Sequence, residues 1–301
     1  MTPLPFDFIE KIKQQFPTEV SAIMEAIDQP AITAIRKNPS KSKDIDFANC
    51  TPVPWAEHAS FLAERPSFTF DPKFHAGAYY VQEASSMFIE QVFKQHLSDT
   101  PALRVLDLCA APGGKSTHIL SLISEDSLLI ANETISQRAN ILAENCTRWG
   151  NANVIVCNND PAHFSDFENC FDVVLIDAPC SGEGMFRKDP DARTEWSESN
   201  VKLCSARQQR ILEEATKLVK PEGILIYSTC TFSKEEDEMQ IEPYIQSGEW
   251  DSLSINCENF PETTKSQSNI LHGYKFLPHK NKGEGFFIAA IRKSANYSLG
   301  N

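Results

Sequence analysis

From about residue 101 the chain alternates short, wholly apolar runs with longer segments whose apolar positions recur every three or four residues. RVLDLCA (104–110), LLIAN (128–132), ANVIVCN (152–158), FDVVLIDAP (171–179) and ILIYSTC (224–230) have the length and composition of strands buried on both faces. Between them lie three predicted helices. KSTHILSLISE carries Ile119, Leu120 and Ile123 on one face. SQRANILAENCTRW is opened by Ser136 as N-cap and ended by Gly150, and an amphipathic segment over 201–219 is closed by Pro221-Glu222-Gly223. Apolar strands alternating with helices predict a parallel sheet covered on both sides, a doubly wound α/β domain. FFIAAIRK (286–293) is expected as an antiparallel edge strand. Residues 1 to about 75 lack the alternation and carry several prolines, which predicts a smaller α+β amino-terminal module.

Composition narrows the class. A chain of 301 residues with 41% hydrophobic and 23% charged residues has enough apolar side chains for a sizeable core, which excludes disorder as the dominant state. The amino terminus, MTPLPFDFIEKIKQQ, has no basic stretch followed by an apolar core, and no run approaches the roughly 18 apolar residues of a membrane span. A cytoplasmic protein without membrane contact is expected. The nine cysteines are odd in number and scattered without a Cys-x-x-Cys pair, and the seven histidines lack zinc-ligand spacing, so reduced thiols and no metal site are expected.

Charge bears on partners. With 28 Lys+Arg against 41 Asp+Glu the formal net charge is −13, which argues against coating nucleic acid through bulk charge. Glu235, Glu236, Asp237, Glu238 and Glu242, set against Lys234, are expected to form a solvated helix face.

Ligands of doubly wound sheets bind at the carboxyl ends of the strands, so the turn after the first strand matters most. It reads Asp107-Leu108-Cys109-Ala110-Ala111-Pro112-Gly113-Gly114-Lys115-Ser116. Cysteine at 109 excludes a P-loop, and the glycines do not spell GxGxxG. What remains is a small-residue turn into a helix, with Glu133 at the end of the next strand, 20 residues beyond Gly113. That spacing suits a carboxylate on a ribose diol, with backbone amides and Lys115 left for an anionic group. S-adenosylmethionine supplies both groups; a close-packed turn without a ligand is the alternative.

Two further strands end in Asp177-Ala178-Pro179-Cys180 and in Ser228-Thr229-Cys230. Most lone cysteines are small buried hydrophobes. Cys180 and Cys230 differ because each directly follows a strand in a polar loop, and two thiols facing one pocket suggest covalent chemistry.

Through LDLCAAPGGKSTHIL, GAYYVQEASSM, DVVLIDAPCSGEGMFRKDP, ARQQRILEEATKLVKPEGILIYSTCTFSKEEDE and LPHKNKGEGFF, residues 73–293 resemble the Sun/NOP family of RNA cytosine-5 methyltransferases, most nearly its RsmF-type bacterial ribosomal-RNA branch. Ala84 stands where the family has proline. The resemblance implies a class I S-adenosylmethionine-dependent methyltransferase, Rossmann-like with a seven-stranded doubly wound sheet. It divides the chain into an RNA-facing module (1–72), a catalytic domain (73–294) and a tail (295–301). It makes Cys230 the nucleophile that adds to cytosine carbon 6. Cys180 helps remove the carbon 5 proton and release product, and Asp177 meets ring nitrogen 3 and the exocyclic amine. Ala110, Pro112, Gly113, Gly114 and Lys115 would surround the methionine end of the cofactor. Cys109 and Ala111 belong to the same turn, with Cys109 read as packing. Glu133 falls on the ribose and Asp160 on the adenine edge; Asn132 and Asn159 are read as strand-end caps. Arg138 is expected near the cofactor, with an exposed helix arginine as the alternative, and Lys115 is left between cofactor and base.

The implied partner is RNA, ribosomal above all, met by a monomer. Longer bacterial members carry a carboxyl-terminal RNA-binding extension, so RNA contacts are sought in local features here. Arg36, Lys37, Arg187, Lys188, Lys275, His279, Lys280 and Lys282 are candidates for phosphates, and Tyr79 and Tyr80 for stacking. A transfer-RNA cytosine-5 methyltransferase, a non-catalytic ribosome-assembly factor and a methyltransferase of protein or a small molecule are the alternatives.

Overall fold

The computed structural model describes residues 2–41 and 47–295. The remainder of the proposed tail, from 296, lies outside them. The first segment folds into α1 (Phe6–Gln15) and α2 (Val20–Ile27), then a small antiparallel sheet of β1 (Ala34–Lys37), β2 (Thr51–Pro52), β3 (Ala59–Phe61) and β4 (Tyr79–Val81), with the one-turn α3 (Pro72–His75) before β4. Its strand order is β2-β3-β1-β4, so the sheet's last strand comes from beyond residue 72. Phe8 and Ile12 of α1 are fully buried against Phe186 and Trp196 of the later chain. Burying such side chains is worth about 1.5–3 kcal/mol each, which fastens the helix beside the larger domain.

The larger domain follows as α4 (Ile89–His96), β5 (Arg104–Asp107), α5 (Gly114–Leu120), β6 (Leu128–Asn132), α6 (Ser136–Trp149), β7 (Val154–Cys157), β8 (Phe171–Asp177), α7 (Pro190–Glu195), α8 (Glu198–Leu218), β9 (Val219–Thr229), α9 (Glu238–Gln246), β10 (Trp250–Ser252), β11 (Thr263–Lys265), β12 (Gly273–Phe276) and β13 (Phe286–Lys293). The sheet runs β11-β12-β13-β9-β8-β5-β6-β7, with β10 paired to β13. From β12 to β7 these are the seven strands expected; short β10 and β11 extend one side. Strands β5 to β9 pair in parallel, and β5 takes β6 on one side and β8 on the other. The order therefore reverses at β5/β8, which fixes where a ligand crevice opens. Alternate residues enter two cores: Val173 and Leu175 on one face, Val174 and Ile176 on the other, all fully buried.

Four expectations are corrected. FFIAAIRK is antiparallel but interior, lying between β9 and β12, which explains its wholly apolar first six positions. Helix α6 begins at Ser136 but its N-cap is Ile135, whose amide donates to Glu133. Helix α8 starts earlier, capped by Ser197, and passes directly into β9 at Val219; Pro221-Glu222-Gly223 lie in the strand's irregular start. Finally, the acids after Lys234 are not a solvated face: Glu236 and Asp237 are 0% exposed and Glu238 is buried.

Candidate functional site

The turn after β5 is shaped by its glycines. Gly113 has φ +108°, a conformation that L side chains resist, and a Cβ there would lie 3.2 Å from Leu142. The Ala110 amide donates to the Asn132 carbonyl (2.8 Å), tying the turn to the end of β6. Asn132 in turn donates to the carbonyls of Leu108 and Asn159 and accepts from the Asn159 amide, the strand-end stitching expected of it.

A cavity of about 760 Å³ opens at this edge, bounded by Cys109, Ala111, Glu133, Asp177, Cys180 and Cys230. The β8–β9 ladder ends at Asp177 and Ser228, so Cys180 and Cys230 emerge side by side, with Sγ atoms 3.0 Å apart. That is hydrogen-bond contact between free thiols, not a disulfide. The hydrogen bond with Cys230, then burial, then electrostatic interaction with Cys230 and Glu236 push the Cys180 thiol well above its ordinary range. Asp177 accepts from Ser228 Oγ (2.8 Å) and is paired with Lys115 Nζ (2.8 Å). Burial, then the neighbouring carboxylates, raise Cys109, a thiol that stays protonated and packs against the sheet.

On the opposite wall, Glu133 is 4% exposed, accepts the Ile135 amide and is bridged by Arg138 at 3.2 Å. Arg138 also donates to the Ala111 carbonyl (2.8 Å), so it braces the turn instead of standing free. Asp160 caps the turn that follows it and pairs with Arg210 at 3.0 Å. Asp107, 0% exposed, accepts from Ser116 through one oxygen, and its other oxygen is unpartnered among the described residues. Burial raises its carboxyl to about 7.

Of the expected site residues, Cys109, Ala111, Glu133, Arg138, Asp177, Cys180 and Cys230 line this one opening; Lys115 and Asp160 are joined to its wall through Asp177 and Arg210, and Ala110, Pro112, Gly113 and Gly114 belong to the turn but not to the lining. Sequence reasoning missed the wall supplied by α8: Leu203, Ala206, Arg207, Arg210 and Ile211. Their spacing of three, four, seven and eight residues marks one helix face and was a usable signal. Among the described residues, no group of three His, Cys, Asp or Glu is placed to hold a metal ion, and no helix is long and apolar enough to cross a membrane.

Several candidate RNA contacts are corrected. Arg36 is 1% exposed and donates to Gln82, Thr117 and the Gly114 carbonyl while lying over Trp149. Lys275 is 2% exposed and paired with Asp237 and Glu238. Arg187 is spent on the carbonyls of Ala26, Pro278 and Gly283. Tyr79 is buried and donates to Asp71, whereas half-buried Tyr80 donates to the Pro112 carbonyl. Lys280 is exposed but pairs with Glu19, beside half-buried His279. Lys188 and Lys282 are exposed; Lys37 is half-buried.

Residues 94–292 match the family model described as 16S rRNA methyltransferase RsmB/F, and residues 4–84 match the N-terminal domain of 16S rRNA methyltransferase RsmF. The chain is 34% identical, over 97% of its length, to ribosomal RNA small subunit methyltransferase F of Vibrio atlanticus, and 33% identical, over 99%, to the protein of that name from Enterobacter sp.. It spans 64% and 66% of those relatives' own lengths. A crystal structure of a methyltransferase homolog protein from Pyrococcus horikoshii superposes with a TM-score of 0.79 at 30% identity, covering 95% of this chain and 94% of that one.

Proposed function

Because the chain belongs to the 16S rRNA methyltransferase RsmB/F family, we propose that it methylates carbon 5 of a cytosine in ribosomal RNA, using S-adenosylmethionine and a covalent adduct of Cys230 with cytosine carbon 6. The observation that carries this is the pair of free thiols, 3.0 Å apart, at the lip of the cavity that Glu133 lines. A cofactor-binding methyltransferase of another class has no use for two such thiols.

The cavity fits the cofactor in size and lining. Pockets of about 300–1,000 Å³ enclose ligands of this kind. Ile135 and Leu203 line it while 54% and 60% exposed, apolar surface suited to a purine ring. Glu133 would take the ribose hydroxyls, and the turn at 110–115 the methionine end. Asp160 pairs with Arg210, which lines the cavity, and would meet the adenine edge beside it. When bound, S-adenosylmethionine supplies an electrophilic methyl group.

The remaining chemistry belongs to the chain. Cytosine carbon 5 is a weak nucleophile, and addition of the Cys230 thiolate to carbon 6 moves an electron pair onto it. Asp177, held by Lys115 and Ser228, faces ring nitrogen 3 and the exocyclic amine, stabilises the electron-rich adduct and separates cytosine from uracil. Cys180, kept protonated by its hydrogen bond with Cys230 and by burial, waits as a thiol while Cys230 adds to the ring. Once Cys230 is bonded to carbon, two causes of the raised Cys180 are gone. Cys180 then loses its proton to water and accepts the one on carbon 5; the electrons of that C–H bond restore the ring double bond and expel Cys230.

For RNA, support comes from exposed Arg207 in the cavity wall and from Lys188 and Lys282, which are exposed elsewhere on the surface. Helix α1 of the amino-terminal module packs on Phe186 and Phe232 and bonds to Phe232 and Ser233, in the loops that follow Cys180 and Cys230. Two unbridged adjacent thiols fit a reducing cytoplasm. Labelled methyl transfer to small ribosomal subunits, followed by mapping of 5-methylcytosine, tests this reading; methyl incorporation at a base other than cytosine, or into protein only, refutes it.

A further inference from the structure

The β8–β9 ladder stops at Asp177 and Ser228, so the sheet does not set the distance between the thiols that follow. Two buried carboxylates take over. Glu236, from the loop after Cys230, reaches across: its Oε2 accepts from the Ser181 amide (2.9 Å) and Gln208 Nε2 (2.9 Å), and its Oε1 from Ser181 Oγ (2.5 Å). Gln208 also donates to the Pro179 carbonyl (2.9 Å), so the residues on both sides of Cys180 are pinned. Glu183, from the loop after Cys180, reaches the other way, accepting from the Phe232 amide (3.0 Å) and Trp196 Nε1 (3.0 Å). Neither carboxylate is more than 1% exposed. The Tyr227 hydroxyl holds the Glu236 carbonyl at 2.6 Å, and the Gly184 amide holds the Cys230 carbonyl at 2.9 Å.

Buried carboxylates are unfavourable unless every acceptor is used, and these two spend theirs on loop amides and on the side chains that brace those loops. We infer that Glu236 and Glu183 form a reciprocal clasp that sets the spacing of Cys180 and Cys230, with Glu236 the positioning residue for Cys180. The catalytic meaning rests on the proposed function: a displaced Cys180 no longer reaches the carbon 5 proton, and the Cys230 adduct persists.

The test uses the full chain carrying Glu236→Gln, which places an amide donor against donors already present. A variant that melts with wild-type cooperativity is expected to lose at least 10-fold in kcat, with KM for RNA and cofactor affinity within about 3-fold. It should also accumulate a denaturant-resistant protein–RNA adduct, as Cys180→Ala does. A fall in kcat without that adduct, where Cys180→Ala gives one, overturns the clasp. If Glu236→Gln does not fold, Ser181→Ala, which removes one of the three bonds to Glu236, should show the same signature at a few-fold.

A readout independent of turnover keeps the two claims apart. With oxidised glutathione as oxidant, two thiols at 3.0 Å pass into an intramolecular Cys180–Cys230 disulfide, releasing two reduced glutathiones. Glu236→Gln should slow this at least 10-fold by peptide mapping. An unchanged rate overturns the clasp even if the enzyme proves inactive on RNA; a slowed rate with no methyl transfer by the wild type leaves the clasp standing and removes the proposed reaction.

Discussion

Lys115 Nζ lies 2.8 Å from Asp177 Oδ2, joining the first turn of α5 to the end of β8 across the point where strand order reverses. The ion pair sits between the turn assigned to the cofactor and the thiols. Removing the Asp177 charge while keeping its shape isolates its part. Asp177→Asn should lower single-turnover methylation by roughly 100-fold or more, the scale for loss of one group that stabilises developing charge. Cofactor affinity should stay within a few-fold by calorimetry. Equal loss of affinity and rate would place Asp177 in cofactor binding alone.

Glu133 is fixed by the Ile135 amide and Arg138 before any ligand arrives. Glu133→Ala should weaken S-adenosylmethionine binding about 10- to 100-fold, the range of one to two charged hydrogen bonds. Titration calorimetry reads this directly, and unchanged affinity would move the ribose elsewhere.

Arg36 supplies a test of where RNA is not bound. Its guanidinium binds Gln82, Thr117 and the Gly114 carbonyl, and burial lowers its pKa to about 9. Arg36→Met should destabilise the fold by about 2–4 kcal/mol, because buried acceptors lose their donor. The dependence of RNA affinity on salt should not change. Lys188→Ala should leave stability alone and reduce the salt slope by about one. Denaturant melts and salt titrations of the two variants separate these outcomes.

Stability should also respond to acid through a buried pair. Burial, then the charge of Arg36, hold His118 down to about 4, although Glu90 at 2.9 Å works against this. Glu90, despite its burial, is lowered to about 2 by His118, Lys94 and the Glu57 amide. With both folded values below the unfolded ones, the unfolded chain binds the extra protons. The His118 contribution is complete above about 6.5 and lost as pH falls toward 4; the Glu90 contribution goes between about 4.5 and 2. The His118 part amounts to roughly 3 kcal/mol at most. His118→Gln, which keeps a donor for Glu90, should flatten the fall of Tm between pH 6.5 and 4.5; an identical profile would exclude the pair as its source.

The central sheet was legible because its strands are apolar on both faces, and the meeting of Cys180 with Cys230 because each follows its strand directly. Glu236, Asp237 and Lys275 were misread for a physical reason. A local run of acids looks solvated unless its partners are known, and those partners, Ser181, Gln208 and Lys275, come from distant segments. Arg36 misled in the same way: an arginine in a polar stretch reads as surface until the carbonyl of Gly114 is found beneath it. β13 was taken for an edge because it comes late in the chain; its outer neighbour β12, four residues long, is too short to stand out as a strand.

The most direct measurement is a denaturing gel of Cys180→Ala incubated with S-adenosylmethionine and unmodified small-subunit RNA, beside the Cys180→Ala,Cys230→Ala double variant. The account predicts a gel-resistant protein–RNA band in the first and none in the second, with the trapped nucleotide a cytosine. A band that persists without Cys230, or full methyl transfer by Cys230→Ala alone, would contradict it.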